Sequence, residues 1–120
     1  MLTGDTQLTE RRPLLEQIVE AIVRVAQPEQ IILFGSRARG NSQESSDYDF
    51  LLVDAKPFGN GRSRLKQVSK VLRVLATFRV SIDLLIYSTD EIDYWRDSLN
   101  HVVGRALREG SIVYERHQSS

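Results

Sequence analysis

Two apolar runs that carry acids near their starts, Asp47 to Val53 (DYDFLLV) and Val80 to Tyr87 (VSIDLLIY), constrain this chain more than any other feature. Both are short, rich in β-branched and aromatic residues and flanked by polar or turn-forming segments, which predicts two strands. Asp47 and Asp49 stand two positions apart, so on a strand their side chains share a face, with backbones about 7 Å apart. Asp83 falls among apolar neighbours in the other run, where an uncompensated charge would cost several kcal/mol. A cation shared by the three acids is the economical explanation. Oxygen ligands alone suit a hard ion such as magnesium, which takes one or two carboxylates and fills its other positions with water and phosphate oxygens.

For the acids to converge, the two strands must run parallel, and parallel neighbours need a crossover. Residues Arg62 to Phe78 supply it: Leu65, Val68, Leu72 and Leu75 share a helical face, while Lys66, Lys70 and Arg73 form a solvated stripe. A right-handed crossover puts that helix on the face opposite the carboxylates. Upstream, Gln30 to Phe34 (QIILF), between Pro28 and Gly35, predicts a third buried strand. Its end at Gly35-Ser36 must reach the same edge as the acids, so it runs antiparallel to the Asp47 strand and the sheet is mixed. There Gly35 lets backbone approach a ligand, Ser36 offers a hydroxyl and an N–H, and the turn through Arg37 to Arg39 presents amides to a phosphate.

The rest of the chain frames this unit. Thr9 caps a first helix, with Pro13 in its first turn and Leu14, Ile18, Ala21, Ile22 and Val25 at helical spacing until Pro28. Gly40 to Ser46 is a polar loop. Ser88 and Glu91 form a capping box for a helix that breaks near Ser98, and a further helix runs to about Glu109 and stops at Gly110. Ser111 to Glu115 adds an edge strand, and residues 115–120 are expected to be a disordered tail. The expected class is α/β (α+β), a mixed sheet of about four strands with helices packed mainly on one face, and residues 1–120 are expected to form a single domain.

Composition narrows the function. The 16 Lys and Arg balance 16 Asp and Glu, which argues against a protein that gains affinity by neutralising many nucleic-acid phosphates. Without cysteine there is no disulfide framework, thiolate zinc site or cysteine nucleophile, as suits a reducing compartment. No apolar run approaches the roughly 20 residues that span a bilayer, and Met1 to Thr9 lacks the basic and apolar regions of a signal peptide. A cytoplasmic protein without membrane association is expected.

The succession Gly35-Ser36-Arg37-Ala38-Arg39-Gly40, Ser46-Asp47-Tyr48-Asp49 and Asp83 resembles the GS...SDxD...D pattern of the polymerase-beta-type nucleotidyltransferase superfamily, over residues from about Leu14 to Tyr87. The short chain is most similar to the minimal nucleotidyltransferases (MNT), antitoxins paired with helical HEPN toxins. The resemblance implies a polymerase-beta palm-like fold in which Asp47 and Asp49 bind two magnesium ions and Asp83 completes one metal site and helps activate the acceptor hydroxyl. It also implies that Gly35 and Ser36 hold a triphosphate. The implied reaction transfers AMP from ATP to a tyrosine hydroxyl of a HEPN-type protein, with a homodimer or hetero-oligomer as the working assembly. Tyr48 stands where relatives usually carry an aliphatic residue, on the other face of the strand.

Two other functions compete. A small-molecule nucleotidyltransferase of the aminoglycoside-modifying kind would need a dimer or partner to build its acceptor pocket. An antitoxin acting by binding and occlusion would need no catalysis. Among the remaining residues, Arg37 and Arg39 suit either phosphate contacts or the bracing of carboxylates such as Asp49. His101 and His117 lack metal spacing and read as a solvated helix face and a tail. Tyr87 shares parity with Asp83, as a base-stacking ring or as core, and Trp95 with Tyr94 reads as core or partner surface.

Overall fold

The computed structural model describes residues 12–40 and 47–117. Helix α1 (Leu14–Ala26) is followed by β1 (Gln30–Phe34), the one-turn helix α2 (Ser36–Arg39), β2 (Tyr48–Asp54) and α3 (Arg64–Leu75). A 3-10 turn at Ala76–Phe78 leads to β3 (Ile82–Ser88), α4 (Thr89–Trp95), α5 (Val102–Glu109) and β4 (Ser111–Glu115). The four strands form one sheet in the order β3-β2-β1-β4. β2 is antiparallel to β1 and parallel to β3, and β4 is antiparallel to β1, so the mixed topology deduced from converging acids is the one observed.

Local chemistry sets the element ends. α1 starts after Pro13 and stops at Gln27, which takes a left-handed conformation (φ 47°) and donates its N–H to the Val23 carbonyl. Pro28 bars continuation. The Thr9 cap lies outside the described residues, as do Asn41 to Ser46 of the polar loop. α3 starts two residues later than expected, because the Ser63 hydroxyl accepts the Lys66 N–H. The capping box at Ser88 and Glu91 forms as the spacing predicts, with each side chain accepting the other residue's N–H.

The sheet is covered unequally. On one face α1 and α3 deliver Ile18, Ile22, Val71 and Leu75 onto Ile31, Leu33, Phe50, Leu52, Leu84 and Ile86. On the other, Ile92 of α4 and Val103 and Ala106 of α5 cover Ile32, Leu51 and Val53. The two long helices thus lie together, the crossover α3 on the face opposite the acids, and the two short helices cover only part of the second face. Leu65 departs from the expected apolar stripe, being 74% exposed. It sits in the first turn of α3, and Val71 takes the fully buried place instead. Lys66, Lys70 and Arg73 are exposed, as expected of a solvated stripe.

The expected edge strand is β4, whose end at Glu115 overlaps the start of the expected tail by that one residue. Glu115 accepts a hydrogen bond from the Gln30 side chain, while the Arg116 N–H donates to the Glu29 carbonyl. Among the described residues no helix is long and apolar enough to cross a membrane.

Candidate active site

The parallel ladder puts Asp49 directly opposite Asp83, and the antiparallel ladder puts Asp49 opposite Phe34, next to Gly35. Three of the five predicted site residues therefore meet through backbone pairing alone. Gly35 has φ 75° and ψ −155°, a conformation that side chains disfavour, and the Asp49 carboxylate fills the space where its Cβ would stand. A larger residue here would displace the acid. Ser36 opens α2, so the predicted phosphate turn is present as one helical turn closed by Gly40 (φ 77°), which donates its N–H to the Arg37 carbonyl.

Asp49 is half-buried and its carboxyl is pushed up to about 6. Burial is the first cause, followed by hydrogen bonding with Asp83 and the charges of Asp83 and Asp47; Arg39 partly offsets them. Two adjacent carboxylates with Asp47 close by concentrate negative charge at this end of the sheet.

Two expectations about the acids need correction. Asp47 precedes β2 and is exposed, so it joins the pair through its charge without being a strand residue. Asp83 is the second residue of β3, an edge strand of the sheet, and is also exposed. The argument that a buried Asp83 would demand a cation therefore fails, and the demand rests on Asp49 facing it. Among the described residues no three acidic or imidazole side chains stand assembled as an ion cage. The Asp49–Asp83 pair nevertheless offers oxygen donors in the number that a hard divalent ion takes from protein.

The neighbouring residues divide clearly. The Arg37 guanidinium lies 3.9 Å over the Tyr48 ring, which is buried and stacked on Phe50 at 6.0 Å. This accounts for an aromatic at position 48: it seats the α2 turn against the start of β2 from the face away from the acids. Arg39 approaches Glu109 at 3.9 Å. Tyr87 packs in the second core, edge-on to His101 at 5.7 Å. His101 is not on a solvated helix face: it caps α5, accepting the Val103 N–H at Nδ1, and stacks on Trp95 at 3.9 Å. Trp95 is thus core, while Tyr94 is exposed. His117 is exposed beyond β4.

The comparisons bear on this geometry. A family model described as polymerase beta, nucleotidyltransferase, matches residues 16–119. No match is found among curated proteins. Among solved structures, a candidate nucleotidyltransferase from Sulfolobus solfataricus is 25% identical, with a TM-score of 0.58 over 86% of this chain and 78% of that one. A toxin-antitoxin structure with AMP-PNP is 20% identical (TM-score 0.55, covering 86% of this chain and 75% of that one). A candidate minimal nucleotidyltransferase is 24% identical (TM-score 0.51, covering 89% and 92%). The last two share the fold.

Proposed function

Since the chain belongs to the polymerase-beta nucleotidyltransferase family, we propose that it transfers AMP from ATP to a protein hydroxyl, a tyrosine of a HEPN-type toxin, and acts in the cytoplasm as the antitoxin of that pair. The observation that carries this reading is the Asp49–Asp83 pair, held side by side with Asp49 against Gly35 and its carboxyl raised by burial and by the acids around it. A nucleoside triphosphate with a divalent cation is the ligand that would relieve this charge. The toxin-antitoxin structure with AMP-PNP supports the same choice of ligand and partner.

In this reading Asp47, Asp49 and Asp83 hold magnesium, with two ions per site, and Gly35 and Ser36 hold the triphosphate. Magnesium held there would supply Lewis-acid chemistry, lowering the acceptor hydroxyl's pKa and offsetting charge on the α-phosphate. The residues of the chain do the positioning. Gly35 leaves room for Asp49, and the Ser36 N–H and hydroxyl stand at the phosphate turn. Exposed Asp83 lies on the open side, where its carboxylate takes the proton of an incoming hydroxyl as that oxygen bonds the α-phosphorus. The bond to the bridging oxygen then breaks and pyrophosphate leaves. Asp47 and Asp83 are both exposed, which leaves the acceptor side open to a protein.

The test is transfer of label from α-labelled ATP in the presence of magnesium, using this protein co-expressed with its genomic neighbour. Wild type should label a tyrosine of the partner, located by peptide mass spectrometry, and Asp49→Ala should label nothing. Label on a small molecule, or toxin neutralisation undiminished in the variant, would replace protein transfer with a small-molecule acceptor or with occlusion.

A further inference from the structure

A cavity of about 140 Å³ opens beside Gly35, lined by Phe34, Gly35 and Arg39 on one side and by Val102, Arg105 and Glu109 of α5 on the other. It is well below the about 300–1,000 Å³ of a pocket that encloses a drug-sized ligand, so it admits a piece of one. Its charge says which piece. Glu109 divides its carboxylate between two guanidiniums, with Oε1 3.9 Å from Arg39 and Oε2 4.0 Å from Arg105. One acid shared by two cations neutralises neither fully, and both contacts are long and exposed.

The other arginine of α5 is differently employed. Arg108 donates to the Ser98 and Leu99 carbonyls, tying the helix to the connection before it. Among the described residues the Arg105 side chain pairs with Glu109, one turn on. The helix that carries it is fixed at its start, where His101 caps the first turn and stacks on Trp95. Arg105 is thus an exposed guanidinium on an anchored helix, across a small cavity from the glycine that adjoins Asp49.

We propose that Arg105 and Arg39 clamp the β- and γ-phosphates of the nucleotide, and that Glu109 holds the two guanidiniums in the empty site and yields them when phosphate enters. The identity of the ligand rests on the nucleotide reading above; the anion preference rests on the cavity itself. The clamp makes Arg105 a specificity residue, because it favours triphosphate over monophosphate and grips the group that must leave.

Binding of magnesium pyrophosphate, magnesium AMP-PNP and AMP is measured by calorimetry on wild type, Arg105→Gln, Arg105→Lys and Glu109→Gln. Arg105→Gln should weaken pyrophosphate and AMP-PNP about tenfold and leave AMP within about twofold, with Arg105→Lys recovering part of the loss. Glu109→Gln should strengthen both polyphosphates, since the competing carboxylate is gone. Unchanged pyrophosphate affinity in Arg105→Gln, equal losses for AMP and AMP-PNP, or wild type that binds no pyrophosphate would each overturn the clamp. Arg105-dependent pyrophosphate binding without AMP-PNP binding would overturn the nucleotide reading and leave the clamp standing. Label transfer by Arg105→Gln with wild-type polyphosphate affinities would do the reverse.

Discussion

The two ends of the β2–β3 pair treat acids in opposite ways. At the end where the strands finish, buried Asp54 accepts from Arg62 at 2.6 Å and from the Lys56 N–H at 3.0 Å. Glu91 there takes both nitrogens of Arg64, which also donates to the Ile86 carbonyl and lies over the Phe58 and Tyr87 rings. Asp54 and Glu91 each have a guanidinium. At the end where the strands begin, Asp49 faces Asp83 with Asp47 close by, and only Arg39 weighs against them. The same two strands therefore carry a structural end, where charge is neutralised internally, and a reactive end, where neutralisation is left to a ligand.

The contrast breaks most visibly under mutation. Asp49→Asn, alone or with Asp47→Asn, should lower magnesium-dependent transfer about 10³-fold or more, by removing a carboxylate aimed at the reacting phosphate. The fold should persist, so circular dichroism and melting should be intact while label transfer vanishes. Gly35→Ala should cost activity about 100-fold, because the new Cβ displaces the Asp49 carboxylate and small misplacements at a reacting centre are expensive. It should also lower stability by about 1–3 kcal/mol from the strained backbone. At the structural end, Arg64→Ala should destabilise by about 2 kcal/mol, leaving Glu91 without its partner. Its denaturation midpoint should fall while the remaining folded protein transfers label at nearly the wild-type rate.

A smaller effect separates the ends by pH. Glu91 is held below its ordinary value, first by its hydrogen bond to Arg64, so its contribution is present at neutral pH and is lost as pH falls through the carboxylate range. Asp49, raised from 3.8 to about 6 chiefly by burial, has the opposite sign. Its contribution is full below about pH 4 and disappears as pH rises through 6. Metal-free Asp49→Asn should therefore melt about 3–5 °C above wild type at pH 7 and match it near pH 4. Thermal melts of both proteins across that range, repeated with magnesium, would show whether the cation removes the difference.

Much of this arrangement is legible in the sequence because it depends on the backbone. The placement of acids within apolar runs, with one helix-length crossover between them, leaves few ways for Asp49, Asp83 and Gly35 to meet, and the sheet observed is one of them. What escapes depends on which surfaces the helices leave uncovered. Asp83 reads as buried because its neighbours are apolar, yet the second face is only partly roofed. Leu65 fits a helical stripe but lies at a helix start that overhangs the core. His101 carries no local mark of its stack on Trp95, since the turn between α4 and α5 brings the rings together. The Arg105 cavity is equally silent in sequence: it joins β1, α2 and α5, and no spacing encodes that junction.

Asp49 and Asp83 face each other across hydrogen-bonded peptide groups of β2 and β3. The separation of their backbones is the width of a parallel β-ladder, about 4.8 Å, and peptide groups set it whatever side chains surround them. The site is therefore ruled by a gauge that mutation of the core does not recalibrate. Helices can be repacked, lengthened or traded among descendants, and the two acids will still confront each other across the same gap while those two strands stay in register.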